Sequence, residues 1–411
     1  MGNANKAIRA LITWVAVLVL AILVVLMADG NKLAWGAPPT FEVIMVGCLT
    51  ILVLPFFIFS LKAGRRVLFF DYLLMIFFVY TSCGSILAIS SRQETAIWSY
   101  APHALAIGSY FIGRIVNVKF YALFLSRAVL VLSLWMAVNM FLWRLDLEVK
   151  INEKSQNLFH VEFVMVYPAI IFLYYSKTHT LLRRVGMVFL FLGCLITKEI
   201  TTYLGALLLC FFWPQIMLGK LGSSLLARKH RKTIFVFGIL LVMIIFVLGS
   251  MLPLTNLGQD FGLEVDKEAN VGSRLAAYQI SWSRFMDSPW VGGLYSQSRM
   301  ADLTFDIIPT HNDWLDFLAG GGVVGFLLIA VSWVMIFLKA NKYRLNSFQA
   351  NTHPSFNMVF ALWTMFSMSM MFNSPCSTPR IIFFWGISMG LLVNFIQSDT
   401  LYQNSLQGNT R

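Results

Sequence analysis

The run "AIRALITWVAVLVLAILVVLM" at residues 7–27 decides the fold class. Its only charge is Arg9, and it matches the roughly 20 apolar residues that cross a bilayer as helix. A secretory leader has a shorter apolar core and a small-residue cleavage site after it; this run has neither feature, so it reads as a retained first span. Working outward, comparable runs give further spans at 41–61, 67–90, 96–113, 120–143, 161–176, 185–197, 200–218, 233–252, 313–338, 356–373 and 380–396. That makes about twelve; the seventh and eighth are separated only by "TKEIT". The 411 residues are 58% hydrophobic and 12% charged, too little charge for a soluble domain. The expected fold is all-α, a polytopic integral membrane protein forming one membrane domain over 1–411.

The net charge of +12 invites a nucleic-acid reading, but its distribution excludes one. The cations gather in short loops: Lys62, Arg65 and Arg66; Lys177, Arg183 and Arg184; Lys220, Arg228, Lys229, Arg231 and Lys232; Lys339, Lys342 and Arg344. With the N-terminus inside, every one of these loops falls on the cytoplasmic side, as the positive-inside rule requires, and the C-terminus falls there too. Of the five cysteines, Cys48, Cys83, Cys194 and Cys210 lie in apolar runs and Cys376 sits alone in a short loop. No CxxC occurs, so neither a disulfide framework nor a redox motif is expected. The 20 Met and 36 Phe read as packing and lipid-facing residues. The ends, 1–6 and 398–411, read as short polar tails.

One outside loop, 253–310 between spans nine and ten, is far longer than the rest. Loops of that length usually serve a function. Within it, "GSRLAAYQISWSRFM" sets Leu275, Tyr278, Trp282 and Phe285 at helical spacing, with Ser273 as an N-cap. "DSPWVGG" at 287–293 then stops the helix. The pattern predicts a short amphipathic helix lying on the outer membrane boundary.

Three features share that outer side. One is His311 with Asn312 and Asp313, in "IPTHNDWLDFLAGGGVVGF" at 308–326. The second is Arg274 opening the loop helix, with Arg284 later on it. The third is Lys198, beside Glu199, at the outer end of span seven. Each has a plain structural reading. Thr310 and Asp313 resemble a capping box with Asp in place of Glu. The two arginines, about 80° apart around a helix, could snorkel to headgroups. Lys198 and Glu199 could be a helix-end pair, although charge so near hydrocarbon is costly. The glycines at 320–325 read as close helix packing.

Together the three suit one chemistry. A departing pyrophosphate needs cations to bind it and to stabilise the charge that develops. A hydroxyl attacking a sugar carbon needs a base or an orienting acceptor, and neutral histidine can serve. The sequence carries no HExxH, no paired cysteines and no Walker motif, so neither a metal nor ATP is expected. Outside the cytoplasm a reaction must use an already activated donor, and a lipid-linked sugar pyrophosphate is one.

"RLAAYQISWSRFMDSPWVGG" followed by "HNDWLDFLAGGGVVGF" resembles the shared signature of bacterial O-antigen ligases and O-antigen polymerases. That signature is an arginine-led loop helix ending near Pro and Gly, then His-Asn-x-x-Leu opening the next span, then glycines. The stretch covers 271–330, and the twelve-span plan with one long outer loop extends the likeness. The resemblance implies a glycosyltransferase of the bacterial inner membrane, working on the periplasmic face without cofactor or metal. Its donor would be a glycan on undecaprenyl pyrophosphate, and its acceptor a lipid A-core sugar. Carried over, His311 would activate or orient the acceptor hydroxyl and Arg274 would bind the pyrophosphate. Asn312, Asp313 and Arg284 would support them. The family's further arginine near the outer end of an earlier span is Lys198 here, which keeps the charge and loses the bidentate fork.

The full His-Asn motif after a loop of this size resembles the ligases. The alternative is a polymerase joining lipid-linked repeat units, whose chemistry at the anomeric carbon is alike. A lipid-linked glycan flippase or secondary transporter also fits twelve spans, and Arg127 inside span five favours it. Against it, no half-to-half similarity is visible and the polar interest is late in the chain.

Overall fold

The computed structural model describes residues 2–28, 67–90, 94–144, 165–176, 179–197, 285–292, 312–346, 354–370 and 379–408, with shorter pieces within 47–57, 278–283 and 300–308. The architecture is all-α. The described helices are α1 (Gly2–Ala28), α2 (Phe69–Ser90), α3 (Glu94–Ile115), α4 (Val118–Arg144), α5 (Val166–Tyr175), α6 (Thr180–Thr197), α7 (Asp313–Asn346), α8 (Pro354–Ser369) and α9 (Pro379–Gly408). One two-residue antiparallel ladder, β1 (Met300–Ala301) with β2 (Ile307–Ile308), pairs Met300 with Ile308 inside the long loop. The expected eighth and ninth spans lie outside the described residues.

Among the described residues four helices, including α1 and α4, are long and apolar enough to cross a bilayer. α1 illustrates why this is a membrane protein. Ile12, Ala16, Val19 and Leu23 are buried, while Leu11, Trp14, Leu18 and Val25 on the other face are exposed and equally apolar. A helix apolar all round needs lipid on its outer face.

Lipid is as apolar as leucine, so close packing and interhelical hydrogen bonds hold such helices together. The seam between α3 and α9 uses both. A Cβ on Gly386 would meet the Ala106 carbonyl oxygen at 2.0 Å, and one on Gly390 the Tyr110 carbonyl oxygen at 2.1 Å. Gly386 and Gly390 are four apart, so they form one stripe along which the two backbones meet. One turn further, Asn394 Nδ2 donates to the carbonyls of Gly113 and Val116, each at 3.1 Å. Gln397 then accepts from Arg114 Nη1 at 2.9 Å.

Arg114 belongs to a buried ion pair. Its Nε and Nη2 donate to the two carboxylate oxygens of Asp71 in α2, each at 3.0 Å. Tyr110 donates to Asp71 as well, and the Leu68 amide adds a bond of 2.8 Å. α1 is tied to the α3–α4 turn by the Asn117 amide donating to the Thr13 hydroxyl at 3.0 Å.

The polar tails carry helix over much of their length. Residues 2–6 and 398–408 are helical, continuing α1 and α9. The backbone ladder propagates from the apolar run into these polar residues. α7 likewise runs past the expected 338 to Asn346. Arg344 holds that extension, stacking over Phe360 at 5.0 Å and donating to Asn341 Oδ1 at 2.8 Å.

Candidate functional site

The run expected to be one span at 313–338 is bent back on itself. α7 is interrupted at Gly322, whose φ of 60° and ψ of −168° lie outside helical values. That region is accessible essentially only to glycine. The Trp314 ring lies 5.9 Å from Trp333 and 6.4 Å from Phe326. On an unbroken helix nineteen residues separate Cα atoms by about 28 Å. So a short arm, 313–321, folds back beside a long arm, 323–346. The long arm alone measures about 36 Å, enough to cross a bilayer. Hydropathy cannot see this break, because glycines at a hairpin and glycines in a straight helix read alike.

The short arm is pinned at its start. Asn312 is its N-cap: the side-chain oxygen accepts the Leu315 amide at 3.0 Å, and its carbonyl accepts the Asp316 amide at 3.1 Å. This replaces the expected capping box. The helix begins at Asp313, which puts the capping position at Asn312, an equally good N-cap residue; Thr310 lies outside the described residues. The Asp313 amide donates to the Met370 carbonyl at 2.9 Å, and Trp314 Nε1 to the Ser367 carbonyl at 3.2 Å. The Ser367 hydroxyl also receives Trp333 at 2.8 Å and Trp385 at 2.9 Å, so three indoles converge on one residue of α8. Asp313 and Asp316 are both buried in the first turn, where the helix dipole favours carboxylates.

The bend is closed by the loop segment. Described positions from Tyr278 to Asp287 are helical, and a turn follows at 288–292. The Val323 amide donates to the Pro289 carbonyl at 2.8 Å and the Val324 amide to the Trp290 carbonyl at 3.1 Å. These amides open the long arm and have no partner within it. Gly292, with φ of 65°, faces Gly322; a Cβ on Gly322 would lie 2.4 Å from the Gly292 nitrogen. Gly322 thus admits a loop backbone, where the glycines at 320–325 were expected to pack against a neighbouring helix. Tyr80 of α2 donates to the Val291 carbonyl, with the Gly321 carbonyl 3.4 Å away. Trp282, Met286 and Trp290 remain exposed, an apolar face suited to lipid.

Of the candidate residues, Asn312 and Asp313 are described, and both sit at the pinned start of the short arm. His311, which directly precedes Asn312, lies outside the described residues, as do Arg274, Arg284 and Lys198. The structure does join two flanking segments: the turn after Arg284 docks on the bend of the arm that begins next to His311. Arg127, the residue favouring a transport path, is exposed on α4.

The sequence reading missed His103. It is buried in α3 with its ring 4.5 Å from that of Phe317 on the short arm. An ionisable residue inside an apolar run was the available signal. Asp71 and Arg114 carried the same signal at the ends of two spans.

Residues 185–330 match the family model described as O-Antigen ligase. No curated protein matches the chain. The resemblance read from 271–330 is therefore borne out at the level of the O-antigen ligase family. The match supports a membrane glycosyltransferase of the ligase or polymerase type, with lipid-linked glycans as its general substrate class.

Proposed function

We propose that this chain, matched to the O-antigen ligase family over 185–330, transfers a glycan from undecaprenyl pyrophosphate to a sugar hydroxyl of the lipid A-core. The observation that carries the reading is the extent of the match. It encloses Lys198, Arg274, Arg284, His311, Asn312 and Asp313, the residues that the chemistry of pyrophosphate departure singled out.

In this reading the acceptor oxygen attacks the anomeric carbon, the bond from that carbon to the pyrophosphate oxygen breaks, and the pyrophosphate, still joined to its lipid, leaves with the electron pair on that oxygen. His311 orients the acceptor hydroxyl and takes its proton. Arg274 holds the pyrophosphate and Lys198 adds a second cation, so charge developing on departure is met by positive groups already in place. Arg284 supports the donor side. Asn312 and Asp313 fix the helix start beside His311; the cap and the bond from Asp313 to Met370 support that role. A helix start fixed in this way needs no reorganisation at the moment of reaction.

The whole chain forms one membrane domain of about twelve spans in the bacterial inner membrane. Both termini are cytoplasmic, the 253–310 loop is periplasmic, and no metal or nucleotide sugar takes part. A null strain tests the assignment, by lipopolysaccharide gel together with extraction of lipid-linked glycan. Bare core with glycan accumulated on undecaprenyl pyrophosphate is the expected result. Core carrying one repeat would reassign the chain as the polymerase, and unchanged lipopolysaccharide would sink the reading.

A further inference from the structure

The turn at 288–292 has four successive carbonyls, and each has a donor. Ser288 receives the Gly292 amide at 2.7 Å, Pro289 the Val323 amide at 2.8 Å and Trp290 the Val324 amide at 3.1 Å; Val291 receives the Tyr80 hydroxyl. Non-helical backbone beside lipid persists only when its polar groups are satisfied in this way. Two of these bonds cap the long arm of α7, and capping alone requires nothing from α2. The Tyr80 bond comes from that third element. It fixes what the two capping bonds leave free, the swing of the turn about the α7 axis.

We propose that Tyr80, acting with the Gly292–Gly322 contact, is a positioning residue that sets the register of the loop helix against the short arm of α7. This rests on the function proposed above. Arg284 lies eight residues before Gly292, and His311 eleven before Gly322. The contact between those two glycines is thus a fixed point shared by the chain segments carrying the donor-side cations and the acceptor-side histidine. A reacting pair displaced by about 1 Å can lose on the order of a hundredfold in rate. A lock that removes one degree of freedom between the two segments therefore acts on turnover more than on substrate affinity.

The test uses the full-length protein in lipid vesicles. Spin labels on Met286→Cys of the loop helix and Leu318→Cys of the short arm, in a chain whose native cysteines are replaced by serine, report the distance distribution between those two elements without reference to activity. Tyr80→Phe removes only the hydroxyl, and Gly322→Ala is a second, harsher arm. The expected result for Tyr80→Phe is a monodisperse protein with a broadened distance distribution. Its kcat for glycan transfer should fall at least about tenfold while KM for the lipid-linked donor stays within about threefold. An unchanged distribution, a wild-type kcat despite broadening, a loss confined to KM, or a fall in kcat matched by a fall in folded protein would each overturn the proposal. Absence of transfer by the wild-type chain would instead refute the proposed function, and the distance distributions would still decide whether Tyr80 sets the register.

Discussion

Replacing Arg114 with alanine tests how the bundle tolerates charge in its interior. The guanidinium and the Asp71 carboxylate are almost wholly buried, with side-chain exposures of 1% and 0%. Two of the four hydrogen bonds that Asp71 receives come from Arg114, at 3.0 Å each; the others come from Tyr110 and the Leu68 amide. Arg114→Ala removes both charge-assisted bonds and the countercharge, leaving a buried carboxylate held by two neutral donors. Breaking one side of such a pair costs about 3–5 kcal/mol. It also leaves Gln397 without its Arg114 bond, for about 1 kcal/mol more. Replacing both partners by apolar residues of similar volume, Asp71→Leu with Arg114→Met, removes the stranded charge and should cost much less than the two single changes summed. Equilibrium unfolding of the purified chain in mixed micelles, run as a double-mutant cycle, measures the difference. A coupling of about 3 kcal/mol or more is expected. Additivity within about 0.5 kcal/mol, or an Arg114→Ala cost below about 1 kcal/mol, would refute the reasoning.

Other substitutions probe the site and the seam. Asn312→Ala should cost about 1 kcal/mol in stability and lower transfer, while Asn312→Asp, which keeps a capping oxygen, should restore most of both; equal activity in the two variants would show that the cap is irrelevant. Lys198→Arg should retain much transfer activity and Lys198→Ala lose most of it, read from lipopolysaccharide gels; full activity in Lys198→Ala would remove that residue from the site. Gly390→Val places branched carbons against the Tyr110 carbonyl, where even a Cβ would sit at 2.1 Å, and should reduce the yield of folded protein sharply. Normal yield would mean that α3 and α9 can separate without penalty.

The helices were legible because an apolar run of sufficient length has few other uses, and α1, α4 and α9 fall where their runs do. The bend in α7 was not. Gly320, Gly321 and Gly322 stand in an uninterrupted apolar run, and composition does not encode the φ and ψ that only Gly322 adopts. The cap was nearly legible: "THND" offers three capping residue types within four positions, and only the point where the helix begins selects Asn312. The pairing of Asn394, Gln397, Arg114 and Asp71 into one polar seam was illegible for a different reason. Its members come from α2, α3 and α9, and a lone Asp or Arg near a span end reads as an interfacial charge until its partner is known. The site signature, in contrast, was local enough to read: an arginine-led helix, a turn and a histidine at a helix start lie within forty residues of one another, and they fall inside the family match.

His311 and Arg274 are proposed to carry glycan transfer. The most direct measurement reconstitutes the purified full-length chain in vesicles with undecaprenyl-pyrophosphate-linked glycan and lipid A-core, without added metal, and follows product formation for wild type, His311→Ala and Arg274→Ala. Wild type should form the glycan–core product while both variants, inserted to the same extent, form essentially none. Wild-type rates in both variants would remove both residues from the site.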